Sequence, residues 1–432
     1  MIKFSSLFRQ QKIVSKEKRK MATVRPFKGI RPRKDLAHNI AALPYDVYNR
    51  EEACVEVEKE PLSFLKIDRG ETNFSEDVSI YDDCVYAKAR EILDEMIIQG
   101  EFVQDDQPCY YLYELTRHGS SQTGIVGCAS IDDYDNNVIM KHENTRKEKE
   151  EDRIRHVDAC DAQTGPIFLA YHENEVLQQV IRTKKMEMPV YDFVSEDGVC
   201  HRVWVIHEAD LIQKVQKAFA GIQSIYIADG HHRCASAVHV GKKRRTENPG
   251  YTGEEEFNYF LSVLFQDSEL RIMDYNRAVK DLNGLSEEEF LEKVKEKFYV
   301  DDKENESVRP RHKGQFGMYL GGKWYQLEIK ENYKNSDPVT GLDVSLLQDH
   351  LLGPVLGIQD PKTDNRIDFI GGIRGLGELK KRVEADCKVA FSLYPTSIQE
   401  LFDVADEKRL MPPKSTWFEP KLRSGLFIHR LS

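Results

Sequence analysis

From Ser224 to Val238 the chain reads Ser-Ile-Tyr-Ile-Ala-Asp-Gly-His-His-Arg-Cys-Ala-Ser-Ala-Val. Asp229, Gly230, His231, His232 and Arg233 place a carboxylate, a flexible backbone, two imidazoles and a guanidinium in consecutive positions. That set is suited to holding phosphate. Arg233 offers a planar fork of donors, the histidines add more, and Gly230 lets the backbone approach a ligand closely. The β-branched and aromatic run before Asp229 predicts a strand, and the small residues after Arg233 predict a helix. A helix start presents free N–H groups and partial positive charge, so it favours anions. An ordinary N-cap at Asp229 with surface histidines is the plainer reading; the coincidence of five such groups in one turn favours a site. Cys234 follows at once. The positive turn would lower its pKa, whereas a small buried helix residue would be inert.

A second constellation lies near the C-terminus, in Pro412-Pro-Lys-Ser-Thr416. The prolines stiffen the approach, Lys414 supplies a mobile cation, and Ser415 and Thr416 supply hydroxyls and N–H groups. Asp46, in Pro44-Tyr-Asp, is a carboxylate on a stiff loop and a candidate general base. Glu51 and the neighbouring Glu52 are weaker candidates, because acids are common in a first helical turn. His142-Glu143 and Thr145-Arg146 open a densely charged segment that either meets a ligand or forms a solvated face. The histidines lack zinc-site spacing, and neither a Walker lysine loop nor Gly-x-Gly-x-x-Gly occurs.

These residues need a scaffold. A chain of 432 residues predicts two or three domains, or one core with large insertions. The net charge of −11 argues against a general nucleic-acid binder. No apolar run reaches membrane-span length. Eight cysteines without a Cys-x-x-Cys pair fit reduced thiols and a cytoplasmic protein. Residues 1–20 are basic and polar and lack a signal-peptide core; they are expected to be a disordered leader or an upstream start, with Met21 as the natural one.

Periodicity predicts helices from Asn49 to Glu58, Asp83 to Gln99, Ser286 to Phe298, Val344 to Leu352 and Gly375 to Ala385. It predicts strands at Ser63–Asp68, Gly165–Tyr171, Phe257–Phe265, Asp368–Gly371, Val389–Tyr394 and Leu426–Leu431. Hairpins are expected at Tyr110–Ile131 and about Gly321-Gly322. The irregular mixture predicts an α+β fold rather than a doubly wound sheet.

The Asp229–Arg233 box resembles that of the free serine kinases, in the wider ParB/sulfiredoxin-like superfamily. Arg25-Pro-Phe, Leu43-Pro-Tyr-Asp-Val, Ser63-Phe-Leu, Gly165-Pro-Ile-Phe-Leu, Leu342-Asp-Val-Ser-Leu-Leu and the Pro-Lys-Ser-Thr box resemble landmarks of domain-of-unknown-function family 1015. This likeness runs from Met21 to Leu431. It implies a ParB/sulfiredoxin-like nucleotide-binding core over residues 21–240 with large α/β insertions, and a C-terminal α+β region over 241–432 that returns to the site through the Lys414 box.

The implied activity is a kinase of free L-serine or a related small hydroxyl metabolite, using ADP or ATP with Mg²⁺. Asp229, Gly230, His231, His232 and Arg233 would hold phosphates. Lys414, Ser415, Thr416 and His142 would line the substrate side. Asp46 stands where the kinases carry a catalytic glutamate, a side chain one methylene longer, and Glu51 or Glu52 could replace it. The alternatives are a ParB-like nucleotide-binding regulator without kinase activity and a ligand-binding protein of amino-acid metabolism. A homodimer is compatible with the resemblance; membrane and nucleic acid are not expected partners.

Overall fold

A computed structural model describes residues 21–432; the expectation for residues 1–20 lies outside them. Two sheets dominate an α+β architecture. The first has nine strands: β1 (Val24–Arg25), β2 (Tyr110–Arg117), β3 (Ser120–Ser130), β4 (Ile139–Met140), β5 (Ile167–Tyr171), β6 (Tyr191–Val194), β7 (Cys200–Ile206), β8 (Ile225–Asp229) and β9 (Tyr259–Gln266). Their order is β4-β8-β5-β9-β3-β2-β7-β6, with β1 on β3. Pairing is mixed: β8 runs antiparallel to β5 and parallel to β4, and β9 runs parallel to β5.

Alternation along β2 explains the layering. Tyr110 and Leu112 face one core, with Trp204 and Phe219. Tyr111, Tyr113 and Leu115 face the opposite core, which continues into the second sheet through Phe316, Met318 and Phe391.

That second sheet contains β10 (Tyr275–Val279), β11 (Phe298–Glu304), β12 (Gln315–Leu320), β13 (Lys323–Ile329), β14 (Ile367–Gly371) and β15 (Val389–Leu393), in the order β11-β13-β12-β15-β10-β14. The β12–β13 turn uses Gly321 and Gly322, both at positive φ, as a tight two-residue hairpin requires.

Helix α1 (Arg50–Lys59) starts with a capping box in which Asn49 and Glu52 satisfy each other's backbone N–H. The stripe read over Asp83–Gln99 forms α2 (Asp83–Ile98). The charged segment forms α3 (Lys147–Cys160), and α4 (His231–Glu247) follows the Asp229 turn. Helix α5 (Glu287–Lys297) has the expected Ser286 cap.

Two strand expectations are corrected. Ser63–Asp68 is a turn leading into a short helix at Leu65–Asp68, where Leu65 and Ile67 enter a core with Phe64. In Leu426–Leu431 only His429–Arg430 pairs as a strand, although Leu426, Phe427 and Ile428 are fully buried. No helix among the described residues is long and apolar enough to cross a membrane.

Candidate functional site

Strand β8 ends in an irregularity between Ile227 and Asp229 that re-aims the last residue. Gly230 then takes φ +93°, and a Cβ there would lie 3.2 Å from Arg233 Nε. A side chain is excluded by backbone conformation and by space. Gly230, not Asp229, is the N-cap of α4. Asp229 Oδ1 accepts the Gly230 N–H at 2.8 Å, and Oδ2 pairs with Lys421 Nζ at 2.9 Å. Burial opposes the Asp229 charge, but Lys421 and Arg233 outweigh it and hold the carboxyl well below the usual range.

His231 is 6% exposed, and its ring stands perpendicular to His142 with centroids 4.4 Å apart. Its Nδ1 is 4.0 Å from Glu143, and the His142 N–H points at its Nε2 from 3.5 Å. Burial lowers its pKa to about 4 against the pull of Asp229. It is therefore neutral at pH 7, a hydrogen-bonding group rather than a cation. His232 Nε2 accepts the Arg146 N–H at 2.9 Å, and its pKa is lowered by burial and by Lys149. His142 is buried behind His231 and outside the cleft wall, with its pKa held far down by burial and by His231. Neither of its ring nitrogens has a hydrogen-bond partner among the described residues.

Arg233 folds back over Gly230 and donates Nη1 to the Pro166 carbonyl at 2.7 Å. Cys234 is fully buried, and burial pushes its thiol far up, as the reading of a small buried helix residue requires.

The C-terminal loop meets this turn from the other side. The Met411 N–H donates to the His142 carbonyl at 2.8 Å. Lys414 is exposed with left-handed backbone (φ +59°), its Nζ 5.6 Å above the Tyr275 ring. Ser415 is buried beneath the loop and donates to the Pro412 carbonyl at 2.7 Å, so its hydroxyl is occupied away from the cleft. Beneath Lys414 sits Arg277, 4% exposed, donating to the Lys414 carbonyl at 3.0 Å and lying 4.7 Å over Phe369. Its side-chain hydrogen bonds all go to backbone carbonyls, and burial lowers its pKa to about 10.

Turn and loop face each other across a cleft of about 500 Å³. Charged side chains line it, Glu143, Arg146, Lys149, Asp229, His231, His232, Lys362, Lys414 and Lys421, together with the rings of Tyr275, Phe369 and Trp417. Lys421 Nζ lies 5.0 Å over the Trp417 ring, as Lys414 Nζ lies 5.6 Å over Tyr275. The volume suits a nucleotide-sized ligand. Thr416 lines the cleft; Ser415 does not. Glu143 is held above the usual carboxylate range by burial and by Asp229.

Asp46 lies on an exposed 3₁₀ turn (Tyr45–Val47) outside the cleft wall, yet its charge acts on His232 and Lys421. Glu51 is exposed in the first turn of α1, away from the cleft, and Glu52 closes the capping box. Lys421, Lys362 and Arg277 were not singled out by sequence. The Pro420-Lys421 pair after the Lys414 box is the one local signal; Arg277 sits inside a strand pattern and gives none.

Among the described residues no group of three or more His, Cys, Asp or Glu side chains is placed to hold a metal ion. Residues 24–345 match the family described as protein of unknown function (DUF1015), and the chain belongs to that family. No curated protein matches it. Three solved structures are distantly similar. A free serine kinase variant in complex with AMP has 12% identity, covers 68% of this chain and 87% of its own, and gives a TM-score of 0.34. SbnI with C-terminal truncation from Staphylococcus aureus has 11% identity, coverage of 68% and 82%, and a TM-score of 0.35. A conserved hypothetical protein from Pyrococcus furiosus has 14% identity, coverage of 70% and 93%, and a TM-score of 0.33. Likenesses this distant carry no argument about the site.

Proposed function

We propose that this member of the family of unknown function binds ADP or ATP in the cleft and transfers a phosphoryl group to the hydroxyl of free L-serine or a related small metabolite. One observation carries the reading. The Asp229–His232 turn and the Lys414–Thr416 loop, far apart in sequence, close on a single cleft lined by both cationic and aromatic side chains. Phosphates and a nucleobase call for both. We assign residues 21–240 to a ParB/sulfiredoxin-like core and residues 241–432 to an α+β region that returns through the Lys414 loop, with β9 of the second region pairing inside the first sheet.

The α4 N-terminus, Lys414 and Lys421 would neutralise the phosphate oxygens as charge builds there. His231, being neutral, would donate or accept a hydrogen bond without adding charge. Asp46, exposed and within electrostatic reach of His232 and Lys421, would take the acceptor's hydroxyl proton. The acceptor oxygen then bonds to phosphorus, the phosphorus–oxygen bond to the nucleotide breaks, and the nucleotide leaves with one phosphate fewer. Mg²⁺ on a nucleotide needs only one or two protein carboxylates beside the phosphates. Glu143, and Asp229, whose charge acts on it and whose oxygens already meet Lys421 and the Gly230 N–H, would be the carboxylates to hold it. When bound, the ion supplies further charge neutralisation. The eight free cysteines suit a reducing, cytoplasmic setting.

The test is a phosphorus NMR time course with Mg²⁺, L-serine, and ADP or ATP in separate samples. A phosphomonoester signal that requires serine is expected. Nucleotide binding without that signal would favour a regulator.

A further inference from the structure

The segment Trp417–Lys421 borders a second pocket, of about 310 Å³, which shares no lining residue with the cleft. Four stretches of chain meet around it: the turn between β2 and β3, the connection from β9 to β10, the turn after β14 and the C-terminal loop. Its volume falls at the low end of small-molecule sites. The C-terminal loop divides residue by residue between the two spaces. Trp417, Phe418 and Lys421 line the cleft, whereas Glu419 and Pro420 line the pocket.

Met273, Ile373 and Pro420 give the pocket apolar surface; Arg117, His118 and Arg271 give it donors. Two carboxylates also line it, and both are engaged. Glu269 Oε2 accepts the Thr123 N–H at 3.1 Å. Glu419 Oε1 accepts the Trp417 indole N–H at 3.0 Å, and its Oε2 meets Arg117 Nη1 at 3.3 Å. The donors are the under-used groups. Arg271 and His118 are exposed and have no hydrogen-bond or ion-pair partner among the described residues. Arg117 makes two long contacts, to Glu419 and, at 3.5 Å, to the Asp197 carbonyl. A small organic carboxylate meets this lining on both counts: one charge for the guanidinium donors and an apolar body for Met273 and Ile373. A dianion such as phosphate would be repelled by Glu269 and Glu419 and would leave the apolar surface bare.

Glu419 ties the pocket to the cleft. Burial holds its carboxyl above the usual range, against the pull of Lys421, the Trp417 N–H and Arg117. Lys421 also pairs with Asp229, 2.9 Å away in the cleft. A ligand carboxylate that draws Arg117 off Glu419 leaves Glu419 more dependent on Lys421 and Trp417, which both line the cleft. Met273 adds a second connection, because its backbone pairs with that of Trp417 in a short antiparallel ladder.

We propose that this pocket is an effector site for small monocarboxylates with an apolar body, and that its occupancy is transmitted to the cleft through Glu419 and Trp417. Two arrangements of Arg117 carry the signal, one on Glu419 and one on the ligand carboxylate. Neither part depends on the reaction carried out in the cleft.

The experiment is titration calorimetry on the full chain with 3-phenylpropionate as the probe. Its controls are 3-phenylpropan-1-ol, which lacks the carboxylate, and acetate, which lacks the apolar body. The probe should bind at least tenfold more tightly than either. Arg271→Gln and Ile373→Asp change exposed positions, so the fold is not at stake. Each should weaken the probe at least fivefold. Trp417 lies outside the pocket lining, so a change in its emission reports transmission rather than contact. Probe binding should shift tryptophan emission in wild type, and not in Trp417→Phe brought to the same occupancy. The proposal is overturned if wild type binds no probe, if the alcohol or acetate matches it, or if both pocket variants keep wild-type affinity. It is overturned equally if emission does not move on binding or if the shift survives Trp417→Phe.

Discussion

His231 gives the sharpest test of the site's electrostatics. Its imidazole is 6% exposed, and burial lowers its pKa to about 4. An unfolded chain restores about 6.5. Below that value the unfolded state binds more protons than the native state, so stability falls with pH and levels off only below the native pKa. The full difference of about 2.5 units corresponds to roughly 3 kcal/mol, of which about 2 kcal/mol is already lost at pH 5. His142, also buried and depressed, adds loss on the same side of its unfolded pKa. The perturbation is His231→Gln, which keeps a polar side chain of similar reach and cannot titrate. Urea unfolding of wild type and variant at pH 8, 6.5 and 5 should show wild type losing about 2 kcal/mol more than the variant between pH 8 and pH 5. Equal pH dependence in the two proteins would show that His231 is solvated as in the unfolded chain, and wild type gaining stability toward pH 5 relative to the variant would show that it is charged; either result removes the neutral-imidazole role in the cleft.

Asp46→Asn should lower turnover about 10²- to 10⁴-fold, in line with loss of a proton acceptor, with nucleotide affinity unchanged by calorimetry; an active variant removes Asp46 as the base. Lys421→Met separates the partly buried pair with Asp229, whose side chains are 19% and 32% exposed. The cost should fall between surface and buried pairs, about 2 kcal/mol, and should come with weaker nucleotide binding. Because Lys421 depresses the Asp229 pKa, wild type loses stability as pH falls below the unfolded carboxylate value, and the variant should lose less over the same range; coincident acid profiles would refute the pairing. Gly371→Ala would place a Cβ 2.8 Å from the Trp417 ring. Overpacking of that kind costs about 1–3 kcal/mol, and a shift in tryptophan emission with weaker nucleotide binding should report the displaced cleft wall.

Local signals were readable wherever the residue that fixes the geometry sits beside what it fixes. Asn49 with Glu52, Ser286 with Glu289, and Gly321-Gly322 each act within four residues, and the caps and hairpin follow. Ser63–Asp68 failed because alternating Leu65 and Ile67 fit a strand or a buried helical turn equally well, and contact with Phe64 and the core decides between them. Leu426–Leu431 forms less strand than its apolar run suggested because its backbone partners change along it: Ile428 makes a single bridge to Ile30, His429 and Arg430 pair with Gln163 and Ala162, and Leu431 bonds to Asp161. At the site, the types in the Asp229 box were legible and their directions were not. His231 and Arg233, two residues apart, leave the helix start toward different cavities. Ser415 and Thr416, adjacent, split between the loop's underside and the cleft.

The placement of Arg277 shows how the two sheets combine into one site. A guanidinium on a central strand, bonded only to carbonyls, is costly to bury. Here it binds the carbonyl of Lys414, a residue whose backbone is itself left-handed. The same side chain backs Phe369, whose ring lines the cleft. One buried cation thus couples the loop that carries Lys414 to the surface proposed to take the base. Its positive charge lies behind the cleft without an acidic side chain among its hydrogen-bond partners. An anionic ligand in front of it would relieve part of that cost, whereas a neutral one would not. On the proposed reading the second sheet would therefore supply ring surface from Tyr275 and Phe369 and also a charge that favours a phosphorylated ligand over a bare nucleoside.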